Sequence, residues 1–326
     1  MIKNKKILTG ELRLNGDAYT ILNMIGHGGS GAVYRVLHHK SKEIQALKHV
    51  ATIHLSRQTT RDYRNEINFL YQLRKKRCAH IPLLYNYKYC RSSGDLSIVL
   101  ELGEIDFASY LGMQKSKPLN MNFVRWYGQQ MLEAIAEIHE EHVVHRDLKP
   151  ANFILKEGSL KLIDFGISKK VDRHTGTVDI DTPTGTINYM PPEAFAFVGD
   201  GPKKHTQIGL PSDIWAFGCI LYQMIYGRTP FHRIPSDQKA QHICSTSIKI
   251  DYPSVVHFNP TKNKQDGGEE EEDDDDTYPT QKPSHISIGK DTVAMLQSCL
   301  ERSPLLRLSA KELLEHRFFY PSSSTL

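Results

Sequence analysis

Eight consecutive residues, His145-Arg146-Asp147-Leu148-Lys149-Pro150-Ala151-Asn152, and the string Ile163-Asp164-Phe165-Gly166 beyond them carry the groups that a phosphoryl transfer uses. Such a transfer asks a protein mainly for positioning and charge compensation. Asp147 can accept the hydrogen bond of an incoming hydroxyl and take its proton, and Lys149 puts a positive charge near the moving phosphate. Asn152 and Asp164 offer hard oxygens to magnesium, a cation that prefers carboxylates, carbonyls, water and phosphate.

Upstream, Gly26-His27-Gly28-Gly29-Ser30-Gly31-Ala32-Val33 has the pattern G-x-G-x-x-G-x-V. Glycines let backbone amides approach phosphates and permit a sharp turn. A dinucleotide site shares the three glycines but needs a helix directly after them. Residues 32–37 are instead β-branched and strand-like, which predicts a flap between two strands; a plain glycine hairpin is the alternative for the motif taken alone. Ala46-Leu47-Lys48 then supplies a strand lysine for the α- and β-phosphates. Its candidate counter-ion is Glu66, which lies beside the helical stripe Tyr63, Ile67, Leu70 and Leu73 and should therefore point inward.

Positioning these groups takes strands first and helices second. Tyr19–Met24 and Ala32–His38 flank the glycine turn, Ile44–Val50 follows, a helix is predicted over 58–76, and further strands near 84–90 and 96–101. The remainder is mainly helical, with helices over 121–142, 212–226, 290–301 and 309–316. This order predicts an α+β, two-lobed fold: an N-terminal extension over 1–18, a strand-rich lobe over 19–101, a mainly helical lobe over 104–320 and a tail over 321–326. Residues 257–287 fit neither lobe. They contain eight consecutive acids, Glu269–Asp276, and read as a disordered insert, either a solvated spacer or a docking segment for a basic partner.

Without those acids the net charge of +4 would be +12, which suits anionic ligands or acidic partners. No basic stripe interleaved with aromatics is present, so no nucleic-acid partner is expected. Cys78, Cys90, Cys219, Cys244 and Cys299 are odd in number, lack Cys-x-x-Cys spacing and follow no signal peptide. They predict free, mostly buried thiols in a reducing, intracellular compartment. The longest apolar stretch, Ile214–Ile225, is too short to span a bilayer, so no membrane association is expected.

Together these motifs resemble the eukaryotic protein kinase family over about residues 19–320. Tyr189-Met190-Pro191-Pro192-Glu193 stands where that family has Ala-Pro-Glu, and Asp213-Ile214-Trp215-Ala216-Phe217-Gly218 matches its Asp-x-Trp-x-x-Gly helix. The resemblance implies ATP and magnesium as cofactors and protein hydroxyls as substrates. It pairs Glu193 with Arg307 as a buried ion pair and makes Asp213 the brace of the catalytic loop. Val33, Ala46, Leu102 and Ile154 would surround adenine, with Ile25 and the glycine loop also facing the nucleotide. Leu100 would be the gatekeeper, residues 101–103 (Glu101, Leu102, Gly103) the hinge, and His145, Phe165 and Leu70 a packed spine. Lys149 and Gly185-Thr186 resemble serine/threonine kinases more than tyrosine kinases, with Thr186 bonded to Asp147 and Lys149.

A narrower resemblance is to the monopolar spindle kinases, the dual-specificity TTK group of the mitotic checkpoint. It rests on strings in both lobes: residues 63–67 (YRNEI), 149–153 (KPANF), 162–167 (LIDFGI), 185–194 (GTINYMPPEA) and 218–231 (GCILYQMIYGRTPF), with Gly103-Glu104-Ile105-Asp106. The group commonly has serine in place of Arg146 and often lacks the third glycine, Gly31. Arg146 implies a grip on a phosphorylated activation loop, whose threonines are Thr175, Thr177, Thr182 and Thr184. Autophosphorylation is expected at Thr182 or Thr175, through a transient homodimer. Kinetochore proteins are the implied partners, and nucleus, kinetochore or cytoplasm the implied location. Spindle kinases carry a long N-terminal targeting region, so this chain reads as a reduced homologue or an excised piece. A kinase of another cell-cycle or signalling group and a pseudokinase scaffold are the alternatives.

Overall fold

The structure, a computed structural model, describes residues 8–28, 31–51, 57–76, 78–90, 93–180, 184–198, 205–258 and 284–321. Gly29, Ser30, Thr182 and the acidic run lie outside these residues. The chain divides into two compact units, Met1–Ile105 with Ile154–Ser168, and Asp106–Phe153 with Lys169–Leu326. Residues 154–168 therefore group with the strand-rich unit.

The first unit holds an antiparallel six-stranded sheet of β1 (Gly10–Leu14), β2 (Asp17–Gly28), β3 (Gly31–His38), β4 (Ile44–Ala51), β5 (Leu84–Cys90) and β6 (Asp95–Leu100), in the order β1-β2-β3-β4-β6-β5. β1 lies inside the stretch expected to be an extension. Its signal is the two-residue turn Asn15-Gly16, both at positive φ (50° and 93°), which closes the β1–β2 hairpin; Asn-Gly suits such turns because both positions need φ above zero. Leu14 is thereby buried with Tyr19, Tyr34, Val36, Leu47 and Val99. The single long helix of this unit among the described residues, α1 (Arg57–Lys76), buries Tyr63, Ile67, Phe69, Leu70 and Leu73. Its basic last turn, Arg74 to Lys76, complements the negative end of the helix dipole. β7 (Ile105–Asp106), β9 (Phe153–Lys156) and β10 (Ser159–Leu162) form a small three-stranded sheet.

The second unit is helical: α2 (Phe107–Gln114), α3 (Met121–Glu140), α4 (Pro211–Tyr226), α5 (Ser236–Cys244), α6 (Lys290–Cys299) and α7 (Ala310–Leu314). Asn120 caps α3 by accepting the amides of Asn122 and Phe123. α4 begins with Pro211, ends on Gly227 in the left-handed conformation, and is buried almost all round. Short pairings complete the unit: β8 (Val143–Val144) with β11 (Lys169–Lys170), and β12 (Thr177–Ile180) with β14 (His205–Gly209) and β13 (Phe197–Val198). β15 (Val255–Phe258) pairs with β16 (Ser284–Ser287) in register. Residues 257–258 and 284–287, expected to be disordered, thus belong to a backbone ladder, because each end finds a partner that local composition does not reveal. No cysteine forms a disulfide; Cys219 and Cys299 are buried, Cys78 and Cys90 half-buried and Cys244 exposed, fewer buried than expected.

Arg307 is the polar centre of the second unit, its side chain fully buried. Its Nη2 donates to Glu193 Oε2 at 2.7 Å, and its other N–H groups reach the carbonyls of Glu301, Arg302 and Pro211. The guanidinium lies 5.2 Å from the ring centroid of Trp215, a cation–π contact. Ser212 Oγ donates a further bond to Glu193.

Two outcomes test this packing. Arg307→Met leaves Glu193 buried without its partner and should lower unfolding free energy by about 3–5 kcal/mol in urea titrations; a loss below about 1 kcal/mol counts against the pair's structural role. At Gly218 of α4 an added Cβ would stand 2.6 Å from Cys299 Cβ. Gly218→Ala should therefore destabilise by about 1–3 kcal/mol, outweighing the gain of about 1 kcal/mol in helix propensity; a raised Tm contradicts this.

Candidate active site

Strand register puts the predicted nucleotide-facing residues of the first unit on one face of the sheet. Gly26 pairs with Val33, Val33 with Lys48, and Ala46 with Leu100. Directly opposed residues of antiparallel strands share a face, as do residues two apart on one strand, so Gly26, Val33, Ala46, Lys48 and Leu100 line up together. The register of β2 on β3 shifts between Met24 and Gly26, placing exposed Ile25 at the irregularity. Gly28 pairs with Gly31. Gly31 has φ +117°, and a Cβ there would stand 2.5 Å from the His49 carbonyl oxygen, so only glycine fits.

Lys48 Nζ lies 2.9 Å from Glu66 Oε1 and 3.1 Å from Asp164 Oδ1. Burial alone would lower the pKa of this ammonium, but the two carboxylates outweigh it and hold the value above that of an ordinary lysine. The charge therefore persists at neutral pH, and its stabilising contribution is lost only as pH rises through the raised pKa. Glu66 is buried among the apolar side chains of α1. Asp164 adopts φ +64°, and the next residue, Phe165, packs edge-on against Phe69, beside Leu70 on α1. Glu101, after β6, takes an ion pair from Lys161 at 3.2 Å, and its carboxylate accepts the Leu83 amide. A Cβ on Gly103 would come within 2.7 Å of Ile154 Cβ, so the chain passes that side chain only as glycine.

In the second unit the 145–152 run is built around two carboxylates. Asp213, 1% exposed, accepts the backbone amides of His145 at 2.8 Å and Arg146 at 3.0 Å, with His139 Nε2 also 3.0 Å away. Arg146 is thereby held at φ +75°. Asp147 accepts Lys149 Nζ at 2.6 Å and both the amide and hydroxyl of Thr186 at 2.9 Å. Lys149 Nζ also donates to Thr186 Oγ1 at 3.2 Å. Asn152 Nδ2 donates to the Asp147 carbonyl at 2.8 Å, and its amide oxygen makes no hydrogen bond among the described residues. Gly185 has φ +122°, and a Cβ would sit 2.9 Å from the Arg146 carbonyl; glycine lets Thr186 reach Asp147.

Arg146 Nη2 donates to Thr184 Oγ1 at 2.6 Å. Thr175 accepts at its hydroxyl from Thr177 and lies in a turn capped by Asp172. His139 and Lys239, a buried cation on α5, were not singled out by sequence. His139 sits in the last turn of α3, where nothing in the local string marks its contact with Asp213.

The second unit can position a hydroxyl at Asp147 beside the positive charge of Lys149, and the first holds a positive charge at Lys48; each is a component that phosphoryl transfer uses. A protein kinase domain model matches residues 19–319. The chain is 39% identical over 309 residues to the serine/threonine-protein kinase mph1 of Schizosaccharomyces pombe, covering 94% of this chain and 43% of that protein. It is 37% identical over 311 residues to the dual specificity protein kinase TTK of Mus musculus, covering 94% and 32%. It is 31% identical over 325 residues to the serine/threonine-protein kinase MPS1 of Saccharomyces cerevisiae, covering 98% and 38%. The chain thus spans less than half the length of these relatives. Its motifs, its element order and these matches show that it belongs to the protein kinase family and is similar to the MPS1/TTK kinases within it.

Proposed function

We propose that this chain is an ATP-dependent protein kinase acting on serine and threonine hydroxyls, and on tyrosine if the dual specificity of its TTK relative carries over. The observation that carries this reading is the Asp147 carboxylate, fixed by Lys149 and Thr186 in a chain of this family. Asp147 orients the acceptor hydroxyl and takes its proton. Lys149 compensates charge on the transferred group, and Lys48, held by Glu66, does so at the α- and β-phosphates. The family uses ATP with a divalent metal, and the residues fit magnesium: Asp164 offers a carboxylate and Asn152 an amide oxygen left over by its own hydrogen bonds. Magnesium, when bound, neutralises the phosphate charges. The same residues argue against a pseudokinase scaffold, since no member of the set is replaced.

A role in the mitotic spindle checkpoint and chromosome segregation, at kinetochores and with kinetochore proteins as partners, is proposed from the likeness to MPS1 and TTK. No helix among the described residues is long and apolar enough to cross a membrane. Autophosphorylation in trans fits the Arg146 guanidinium, which in this conformation already bonds Thr184; that contact adds Thr184 to the Thr182 and Thr175 expected from the resemblance.

Asp147→Asn should lower magnesium-dependent phosphorylation of a generic protein substrate by about 10²–10⁴-fold, with nucleotide affinity retained; a rate equal to that of the unaltered chain removes the catalytic assignment. Mass spectrometry of the bacterially expressed protein should find phosphate within residues 170–186, and Thr184→Ala should lower activity. An unmodified peptide from a fully active protein overturns the loop reading. Expression in spindle-checkpoint-deficient cells should restore mitotic arrest, and failure points to another signalling group.

A further inference from the structure

Beyond Thr186 the chain enters a short helical turn, Ile187–Tyr189. There Asn188 Oδ1 accepts a hydrogen bond of 2.7 Å from Lys239 Nζ. Lys239 is only 6% exposed. Among the described residues that neutral amide is its one hydrogen-bond partner, and no carboxylate pairs with it. A buried ammonium without a counter-charge is costly, and the surroundings add charge of the same sign. Arg228 is half-buried nearby and Arg233 is exposed on the segment leading into α5, two cations beside the exposed imidazole of His232. The His232 imidazole pKa is lowered first by desolvation, then by the positive charges of Arg228, Arg233 and Lys239. Asp237, in the first turn of α5, pairs with none of them among the described residues.

We infer that the cations Arg228, Arg233 and Lys239, with His232 as a hydrogen-bonding imidazole, form an anion site that reads an acidic or phosphorylated side chain of the protein substrate, a few residues from the accepting hydroxyl. This rests on the kinase reading, in which the hydroxyl sits at Asp147 beside Thr186. Asn188 is two residues beyond Thr186, within about 7 Å of chain, so the cations border the place where the substrate is held. Exposed Arg233 and His232 are the groups that touch the anion, with arginine suited to carboxylate and phosphate alike. Lys239 is a positioning residue: it holds Asn188 and adds a fixed charge screened little by solvent. The chain carries a matching pattern of its own, since Thr177 in the activation loop is followed two residues later by exposed Asp179.

The test uses the whole chain, ATP, magnesium and one threonine peptide carrying glutamine, glutamate or phosphoserine at the second, third or fourth position on either side of the threonine. An anion on one side of the threonine should raise kcat/KM about fivefold or more, mainly through KM, and less at high salt. The gain should vanish in His232→Ala/Arg233→Ala, whose sites are exposed and tolerant, fall in Lys239→Met, and return in Lys239→Arg. A gain with glutamate identifies acidic substrates, and one confined to phosphoserine identifies previously phosphorylated ones. Equal turnover of neutral and anionic peptides, or a gain surviving in the double variant, overturns the inference while leaving the transfer reading intact. Absence of turnover on every peptide, together with absence of autophosphorylation, overturns both.

Discussion

The carboxylate of Asp213 is the point on which the 145–152 loop depends. Arg146 adopts a left-handed backbone that costs a non-glycine residue about 1–3 kcal/mol. Two backbone amides, from His145 and Arg146, donate to the buried Asp213 carboxylate, and hydrogen bonds to a charged group contribute about 1.5–3 kcal/mol each. The loop is strained and stable at once because the second effect exceeds the first. Asp213 can perform this role only because α4 is buried on nearly every side and cannot shift. The start of that helix is tied down in turn: Arg307 donates to the Pro211 carbonyl while pairing with Glu193, and Ser212 bonds the same glutamate. The geometry of the loop at Asp147 thus rests on an ion pair far from it in sequence.

The strand-rich unit solves a parallel problem with charges in place of backbone strain. A lysine on a half-open sheet face would ordinarily be solvated and mobile. Glu66, carried into the interior by the apolar stripe of α1, and Asp164 hold Lys48 in one place and keep it charged. Glycines serve as clearances at Gly31 and Gly103, where a single methyl group would strike a carbonyl or an isoleucine. In the second unit Gly185 does the same for the contact between Thr186 and Asp147.

Much of this was legible in the chain because it depends on local strings. The 145–152 run, the Asp164-Phe165-Gly166 string, the glycine flap and the helical stripe holding Glu66 each signal their chemistry within a few residues. The Asn15-Gly16 turn was equally legible, and it marks β1 as sheet where an extension was expected. The β15–β16 ribbon was not, since its strands lie on either side of a long polar stretch and each reads as strand only when the other is beside it.

By itself the sequence determined which groups are available and which family they belong to, because residue types and short spacings encode the chemistry of phosphate, magnesium and hydroxyl. Tertiary structure alone decided the contacts that neither a local string nor the family resemblance implied. Thr184, among several activation-loop threonines, meets Arg146; His139 joins Asp213; and Lys239 is buried against Asn188. Those contacts join residues dozens of positions apart, and their energies depend on burial and distance, quantities that exist only once the chain has folded.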